Sequence, residues 1–316
     1  MMQAEARRRL AMTGASGFVG SVVARRLARN FELLDLYHRT PAPADIVGQS
    51  LYIDLSDRRS IDQALRDWRA DALLHIAAAA DVDACEAERE DRSGNAYQTN
   101  AVLPGLLART CRELGIRFVH ISTDYVYDGV DGPYHDMDLP GRAANWYGQT
   151  KLEGERAALK ANPAAAVVRP SLPYGPAHPR KRDIVRLVRS RLGAGEAFAG
   201  AVDQFISPTW LDDLGDGLAA IVAGQGSGAY HLAGATLLTP YDAALVVART
   251  FGLDERLVRP ATLAEISGSG RAPRPRATAL LCPRFDRELG GRVRRRGFAE
   301  GVGLLRDLEL QPAPPS

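Results

Sequence analysis

The sequence contains little lysine, little cysteine and no long run of apolar residues. Lysine occurs three times among 40 basic residues, and 38 acidic residues reduce the net charge to +2. This balance gives no global electrostatic argument for a nucleic-acid partner. The three cysteines, Cys85, Cys111 and Cys282, are far apart and odd in number, so we expect buried thiols in a reducing compartment rather than a disulfide framework.

Other features that the sequence lacks narrow the class of protein and the kinds of site that it can contain. Residues 13–17 interrupt the apolar stretch that follows the basic start, so we expect no signal peptide, no membrane partner and a cytoplasmic location. No two histidines have HxxxH or HExxH spacing, and we predict no metal site. His75, His120 and His231 lie in strand-like runs and are predicted to be satisfied interior residues. With 46% hydrophobic residues, 316 residues suffice for one large α/β domain or two smaller ones.

Short apolar runs alternate with amphipathic stretches through the first half of the chain. Predicted strands cover residues 10–13, 31–37, 50–53, 72–77, 117–122, 165–168 and 228–232. The first predicted helix ends at about residue 28, and four further predicted helices cover residues 61–68, 96–114, 144–160 and 183–191. Strands without period-2 alternation, separated by helices, predict an α/β fold with a Rossmann-type, doubly wound parallel sheet.

The alternation weakens after Pro170, where prolines cluster. We therefore predict an NAD(P)-binding domain at residues 1–170, to which residues 200–235 return. Residues 171–316 are predicted to form mainly a smaller, irregular α/β substrate lobe. Within it, residues 259–276 are rich in Gly, Ser, Pro and Arg and are predicted to form an extended, loop-rich wall.

A glycine-rich turn, TGASGFVG at residues 13–20, lies between the first predicted strand and the first predicted helix. Gly14 permits a tight turn, and Gly17 lets backbone amides approach a pyrophosphate. Gly20 lets the helix pack closely on the strand. In this position the turn predicts a dinucleotide cofactor.

The end of the second predicted strand bears on the choice of cofactor. An acid there would bind the ribose hydroxyl of NADH, whereas an arginine suits the 2′-phosphate of NADPH. Asp35 lies inside the strand and Arg39 follows it. This order favours NADPH and leaves NADH open.

Tyr147 and Lys151 form a Tyr-x-x-x-Lys pair near the start of a predicted helix, where residues four apart share a face. Ten tyrosines and three lysines in 316 residues give roughly 0.1 such pairs by chance. A nearby ammonium would lower the pKa of the phenol, which could then protonate a carbonyl oxygen as hydride reaches its carbon. Thr123 follows a predicted strand whose carboxyl end faces the ligand crevice, so it can hydrogen-bond the same carbonyl.

Several segments resemble a known family. The Gly-x-x-Gly-x-x-Gly order is similar to that of the extended short-chain dehydrogenases/reductases. Residues 81–86, 120–129, 146–155 and 202–209 resemble motifs of the dTDP-4-dehydrorhamnose reductase-like members of that family, most specifically HISTDYVYDG at residues 120–129. The resemblance implies reduction of the 4-keto group of a nucleotide-activated deoxysugar, with Thr123, Tyr147 and Lys151 as catalytic residues.

The resemblance and the residue patterns together give two predicted binding sets. The predicted cofactor site is Gly14, Ser16, Gly17, Phe18, Val19, Gly20, Arg39, Asp54, Leu55, Ala77, Ala78, Ala79, Asn100, Tyr147 and Lys151. The predicted site for a nucleotide-diphosphate sugar is Asp81, Val82, Asp83, Thr123, Asp124, Tyr125, Trp146, Arg274 and Arg276. A homodimer is left open.

Two segments depart from the family pattern. Residues 176–183 lack the Asn-Phe pair of relatives, and residues 274–280 lack the asparagine of Arg-Pro-x-Asn-Ser-x-Leu. Arg274 and Arg276 could still clamp a diphosphate. Residues 180–182 are either a second such clamp or a solvated basic face.

Three other functions share this fold. A sugar-nucleotide 4,6-dehydratase has a glutamate where this chain has Tyr125, and an epimerase usually has an acid where this chain has Arg39. A regulatory subunit resembling the β subunit of methionine adenosyltransferase can keep the Tyr/Lys pair, and the sequence does not exclude it.

Overall fold

The computed structural model describes residues 7–310 except 44, 45, 47, 56, 177, 179, 180 and 269. The strands are β1 (Arg8–Thr13), β2 (Phe31–Tyr37), β3 (Gln49–Tyr52), β4 (Ala72–His75), β5 (Arg117–Ile121), β6 (Ala166–Arg169), β7 (Phe198–Ala201), β8 (Gly228–His231) and β9 (Val258–Ala261). The helices are α1 (Phe18–Leu27), α2 (Arg58–Asp67), α3 (Val82–Ala87), α4 (Asn95–Tyr97), α5 (Leu103–Leu114), α6 (Trp146–Ala161), α7 (Ile184–Gly193), α8 (Leu211–Ala223), α9 (Pro240–Phe251), α10 (Leu263–Ser267), α11 (Pro283–Leu289) and α12 (Phe298–Leu310).

Seven of the described strands form one parallel sheet in the order β3-β2-β1-β4-β5-β6-β8. All residues of β4 and β6 are buried because helices cover both faces of the sheet. The predicted Rossmann-type parallel sheet is confirmed. The segment predicted at residues 228–232 does rejoin the sheet, beside β6.

Two hydrophobic clusters cover the faces of this sheet. On one face, α1 and α8 pack against side chains of β1 such as Leu10 and Met12. On the other face, α2 and α5 pack around Ala11 and Phe118. Phe285 of α11 joins the first cluster, so late parts of the chain also complete the core around the sheet.

A third cluster lies among α7, α9 and α12, beside a separate two-stranded parallel sheet of β7 and β9. Trp210 and Tyr174 are buried in this cluster. The predicted division at residues 170 and 171 stays a prediction.

Some predicted elements differ from the structure in informative ways. The helix predicted over residues 96–114 is interrupted by a π-helical turn at Gln98–Val102. The wall predicted over residues 259–276 contains α10, which begins with a capping box between Thr262 and Glu265. The helices α9 and α12 were not predicted. Among the described residues, no helix is long and apolar enough to cross a membrane.

Candidate active site

A cavity of about 1280 Å³ lies at the carboxyl ends of the sheet strands. This exceeds the roughly 300–1,000 Å³ that is usual for one small ligand, so the cavity has room for two. Most of the predicted site residues line it: Gly14, Ser16, Gly17, Phe18, Val19, Gly20, Arg39, Asp54, Leu55, Ala77, Ala78, Ala79, Val82, Thr123, Asp124, Tyr125, Tyr147 and Lys151.

The glycine-rich turn between β1 and α1 has the tight geometry that its sequence predicts. Gly14 has a φ of +78°, and a Cβ atom there would lie 2.6 Å from the backbone nitrogen of Ala77. The amide of Gly17 donates to the carbonyl of Gly14 at 3.0 Å. A Cβ atom on Gly20 would lie 2.0 Å from that same carbonyl oxygen. The turn therefore brings the start of α1, with its unpaired amides, to the cavity wall, where they can bind a phosphate.

Arg39 lies at the end of the cavity that follows β2 and β3, together with Asp54 and Leu55. Asp35 is buried instead and accepts a hydrogen bond from the amide of Ala42 at 2.6 Å. Burial raises the pKa of Asp35 above its ordinary value. Asp35 therefore supports the turn after β2, and Arg39 is the charged side chain of the β2–β3 connection that faces the cavity.

Thr123, Tyr147 and Lys151 come together on one wall of the cavity. Asn145 begins α6 by accepting a hydrogen bond from the amide of Gly148 at 2.8 Å, which orders the first turn of the helix. Tyr147 and Lys151 follow on one face of α6 and both line the cavity. Thr123, directly after β5, is within hydrogen-bonding reach of the Tyr147 side chain.

The ammonium of Lys151 is hydrogen-bonded at the carboxyl end of β5. Its Nζ donates to the carbonyl of Ile121 at 2.6 Å and lies 3.3 Å from Nε2 of His120. Burial lowers the pKa of Lys151 to about 8. Burial also raises the pKa of Tyr147, while the hydrogen bond with Thr123 lowers it. The expectation that Lys151 lowers the pKa of Tyr147 is therefore wrong for this structure, because burial dominates and the ammonium is directed at a carbonyl.

Asp124 is buried beside Thr123 and serves as an acceptor for neighbouring hydroxyl groups. Thr123 donates to one carboxyl oxygen at 3.0 Å, and Ser171 donates to the other at 2.8 Å. Burial raises the pKa of Asp124 to about 6. The ring of Tyr125 lies edge-on to the ring of Tyr147, with centroids 6.0 Å apart.

Asn100 requires a correction, because it does not line the cavity. It is 1% exposed, and its side-chain oxygen accepts from the amide of Ala79 at 2.9 Å. Its side-chain nitrogen donates to the carbonyl of Ala79, also at 2.9 Å, and to the hydroxyl of Thr150 at 3.2 Å. Asn100 therefore holds the wall segment after β4 in place and ties it to α6.

The predicted diphosphate clamp of Arg274 and Arg276 is also wrong, because neither residue lines the cavity. Arg274 donates to the carboxylate of Asp83 at 3.0 Å, and that carboxylate also accepts from the amide of Ala272. The Ala272 amide and Arg274 lower the pKa of Asp83. Arg276 lies 3.7 Å from the carboxylate of Asp203, with its side chain 68% exposed.

Three other predicted substrate residues, Asp81, Asp83 and Trp146, also lie outside the cavity, and Asp83 instead holds Arg274. Asp81 caps the start of α3, where it accepts from the amides of Asp83 and Ala84. Trp146 is buried, and its ring is stacked on that of Tyr97 with centroids 6.2 Å apart. The structure therefore supports a core role for Trp146 rather than the predicted contact with the sugar.

His75, His120, His231 and the three cysteines are interior residues. His231 contacts the Tyr127 hydroxyl and the carbonyl of Leu281, whereas His75 and His120 each keep one ring nitrogen without a partner. All three cysteines are buried and free. In the part of the chain that the structure describes, no group of three or more potential ligands could hold a metal.

A sequence model described as the RmlD substrate binding domain matches residues 8–303. The chain belongs to the RmlD substrate-binding domain family. The resemblance to dTDP-4-dehydrorhamnose reductases of the extended short-chain family is thereby confirmed.

Individual relatives support this membership. The probable low-salt glycan biosynthesis reductase Agl14 of Haloferax volcanii is 32% identical over 284 residues, which are 88% of this chain and 91% of that protein. The dTDP-4-dehydrorhamnose reductase of Mycolicibacterium smegmatis is 36% identical over 272 residues, which are 84% of this chain and 75% of that protein. The solved structure of the dTDP-4-dehydrorhamnose reductase of Bacillus anthracis, in complex with NADP, has the same fold, with a TM-score of 0.82. The two sequences are 23% identical, and the match covers 96% of this chain and 100% of that one.

The cavity of this RmlD-family protein also contains residues that the predicted binding sets omit. Among them are Lys181, Arg182, Asp183, Gln204, Ile206 and Thr278. The sequence leaves residues 180–182 open between a second clamp and a solvated basic face; the structure places two of them at the cavity, and Arg180 lies outside the described residues. The basic composition around residue 181 is the available signal, but it does not reveal which face of the segment meets the cavity.

Proposed function

We propose that the protein is an NADPH-dependent reductase that reduces the 4-keto group of a nucleotide-activated deoxysugar. One observation carries the proposal: Tyr147, Lys151 and Thr123 line the same cavity as the glycine-rich turn. A cofactor bound at the turn and a carbonyl bound at Tyr147 would therefore share one space. The names of the relatives, a dTDP-4-dehydrorhamnose reductase and a probable glycan biosynthesis reductase, support the same type of reaction.

The residues present fit a dinucleotide. Because Gly14 and Gly20 have no Cβ atom, the turn can bend tightly and direct its amides at a diphosphate. Arg39 suits the 2′-phosphate of NADPH. When bound, NADPH supplies the hydride that reduces the keto carbon.

The chain's own residues would handle the proton and orient the sugar. Tyr147 gives its hydroxyl proton to the keto oxygen as negative charge develops there. Thr123, fixed by its contact with Asp124, orients the same oxygen. Lys151 lines the same cavity, and the family resemblance implies that it acts together with Tyr147.

The alternatives are weaker. The β subunit of methionine adenosyltransferase 2 of Bos taurus is 28% identical over 287 residues, which keeps a regulatory, NADP-binding role as the second candidate. A dehydratase would need a glutamate at position 125, where the cavity instead has Tyr125. The substrate's exact sugar and base, a homodimer, the cytoplasmic location and the two-domain division all stay predictions.

The test follows the absorbance of NADPH after a dTDP-4-keto-6-deoxysugar is added. We expect consumption of NADPH by the native protein. Tyr147→Phe should lower kcat by about 100-fold or more, the usual contribution of general acid catalysis, and keep NADPH affinity. Tyr241→Phe, outside the cavity, is the control and should be fully active. Binding of NADPH without turnover would favour the regulatory role, and full activity of Tyr147→Phe would exclude Tyr147 as the proton donor.

A further inference from the structure

His178 joins the small lobe to the glycine-rich turn. Its Nε2 lies 3.2 Å from the carbonyl oxygen of Ser16, so this nitrogen carries a proton and donates it to the carbonyl. Its ring lies edge-on to that of Phe18, with centroids 6.0 Å apart. Ser16 and Phe18 both line the cavity. His178 therefore lies directly against the turn that would bind phosphate.

Two cationic residues that follow His178 in the sequence, Lys181 and Arg182, line the cavity. The backbone of Lys181 pairs with that of His178 in an antiparallel bridge. The guanidinium of Arg182 also donates to the hydroxyl of Ser190 at 3.4 Å, a neutral partner that leaves its charge uncompensated. The neighbouring carboxylate of Asp183 does not neutralise the two cations, because Arg186 is bonded to it at 2.6 Å. A positive edge therefore faces the phosphate-binding turn across the cavity.

The other cations of the site are used elsewhere. Lys151 donates to the carbonyl of Ile121, and Arg39 follows β2, where it suits the 2′-phosphate. Arg274 is bonded to Asp83 outside the cavity. A diphosphate bound near the turn would meet Lys181 and Arg182 as its nearby cationic side chains.

We infer that Lys181 and Arg182 form a diphosphate-binding edge beside the phosphate-binding turn, positioned by the contact of His178 with Ser16. The ligand class is a nucleotide diphosphate. The contact of His178 with Ser16 points to the diphosphate of the cofactor, and a nucleoside diphosphate of the substrate is the second source of the same chemistry. The inference rests on the proposed function for the identity of these ligands, but not on turnover.

The experiment measures binding rather than activity. NADPH and NADH are titrated by their fluorescence, and dTDP is titrated by calorimetry, each with the native protein and with Lys181→Ala/Arg182→Ala. Two partly exposed cation–phosphate contacts are worth roughly tenfold in affinity at low salt, and screening should shrink the effect at about 1 M salt. The control, Arg191→Ala/Arg256→Ala, removes two exposed arginines outside the cavity and changes the net charge equally.

Each outcome has a definite meaning. Equal weakening of NADPH and NADH supports an edge for the cofactor diphosphate, and weakening of dTDP supports the same edge for the substrate diphosphate. Weakening of NADPH alone would assign the cations to the 2′-phosphate and overturn the inference, as would unchanged affinity for all three ligands. His178→Ala should weaken the same ligand as the double variant, whereas His178→Gln, which keeps a donor for Ser16, should weaken it less. A native protein that binds these ligands but never oxidises NADPH would contradict the proposed function and leave this binding result standing.

Discussion

Gly20→Ala tests whether the close approach of α1 to its preceding turn governs both stability and cofactor binding. Gly20 lies in α1, and a Cβ atom there would be 2.0 Å from the carbonyl oxygen of Gly14. Real Cβ atoms do not approach an oxygen this closely, so the helix and the turn must separate by about 1 Å or more. The amides of the turn would move with it.

The magnitude follows from two opposing effects. Alanine in place of glycine stabilises a helix by about 1 kcal/mol. Overpacking costs about 1–3 kcal/mol, and the upper part of this range applies because the atom in contact belongs to the backbone and cannot rotate away. We expect Gly20→Ala to lower the free energy of unfolding by about 1–2 kcal/mol. Displaced amides should weaken NADPH binding about tenfold or more, equivalent to the loss of one hydrogen bond to a charged group.

A matched control separates the clash from the general effect of alanine. Gly303 lies in α12, and a Cβ atom there would have no atom within 4 Å. Gly303→Ala should therefore raise the free energy of unfolding by up to about 1 kcal/mol and leave NADPH affinity unchanged. Urea unfolding and NADPH fluorescence titration measure both quantities. If Gly20→Ala is as stable as Gly303→Ala and binds NADPH normally, the close approach has no energetic consequence and the argument fails.

Two further predictions concern buried ionisable groups. Burial lowers the pKa of Lys151 from 10.5 to about 8, so its ammonium costs stability at pH 7, and this cost disappears as the pH rises from about 8 to 10.5. Lys151→Met should thus raise the free energy of unfolding at pH 7 by up to about 3 kcal/mol and abolish turnover. Urea unfolding at pH 7 measures the first effect, and a variant less stable than the native protein would contradict the prediction. Burial raises the pKa of Asp124 from 3.8 to about 6, so the stability contributed by its neutral form is complete below pH 3.8 and is lost as the pH rises through 6. Asp124→Asn should therefore gain more stability over the native protein at pH 7 than at pH 4, and an equal difference at both values would show that the carboxyl does not titrate this way.

Local sequence signals predicted the sheet well. Runs such as residues 72–74 are apolar throughout, and each lies between turn residues and an amphipathic helix, so neighbouring residues already determine a buried parallel strand. The phosphate-binding turn and the Tyr147/Lys151 pair were also readable, because each depends on spacing within a few residues.

The substrate side could not be predicted in the same way. Whether Arg274 faces a ligand depends on Asp83, which lies 191 positions earlier and engages its guanidinium. Asn100 has the composition of a ligand-binding residue, but its two contacts with Ala79 arise only when the segment after β4 meets the π-helical turn. Such pairings are properties of the tertiary structure, and no local pattern in one sequence specifies them.

The position of β8 at one edge of the main sheet has a consequence for biosynthesis. This strand shields β6, and Tyr230 and Phe285 complete the hydrophobic cluster over α1. A nascent chain that has left the ribosome only as far as residue 170 would expose an unprotected strand edge and lack part of its core. We therefore expect the cofactor-binding half to mature only after most of the polypeptide is made, and a polypeptide truncated there to aggregate rather than to bind nucleotide.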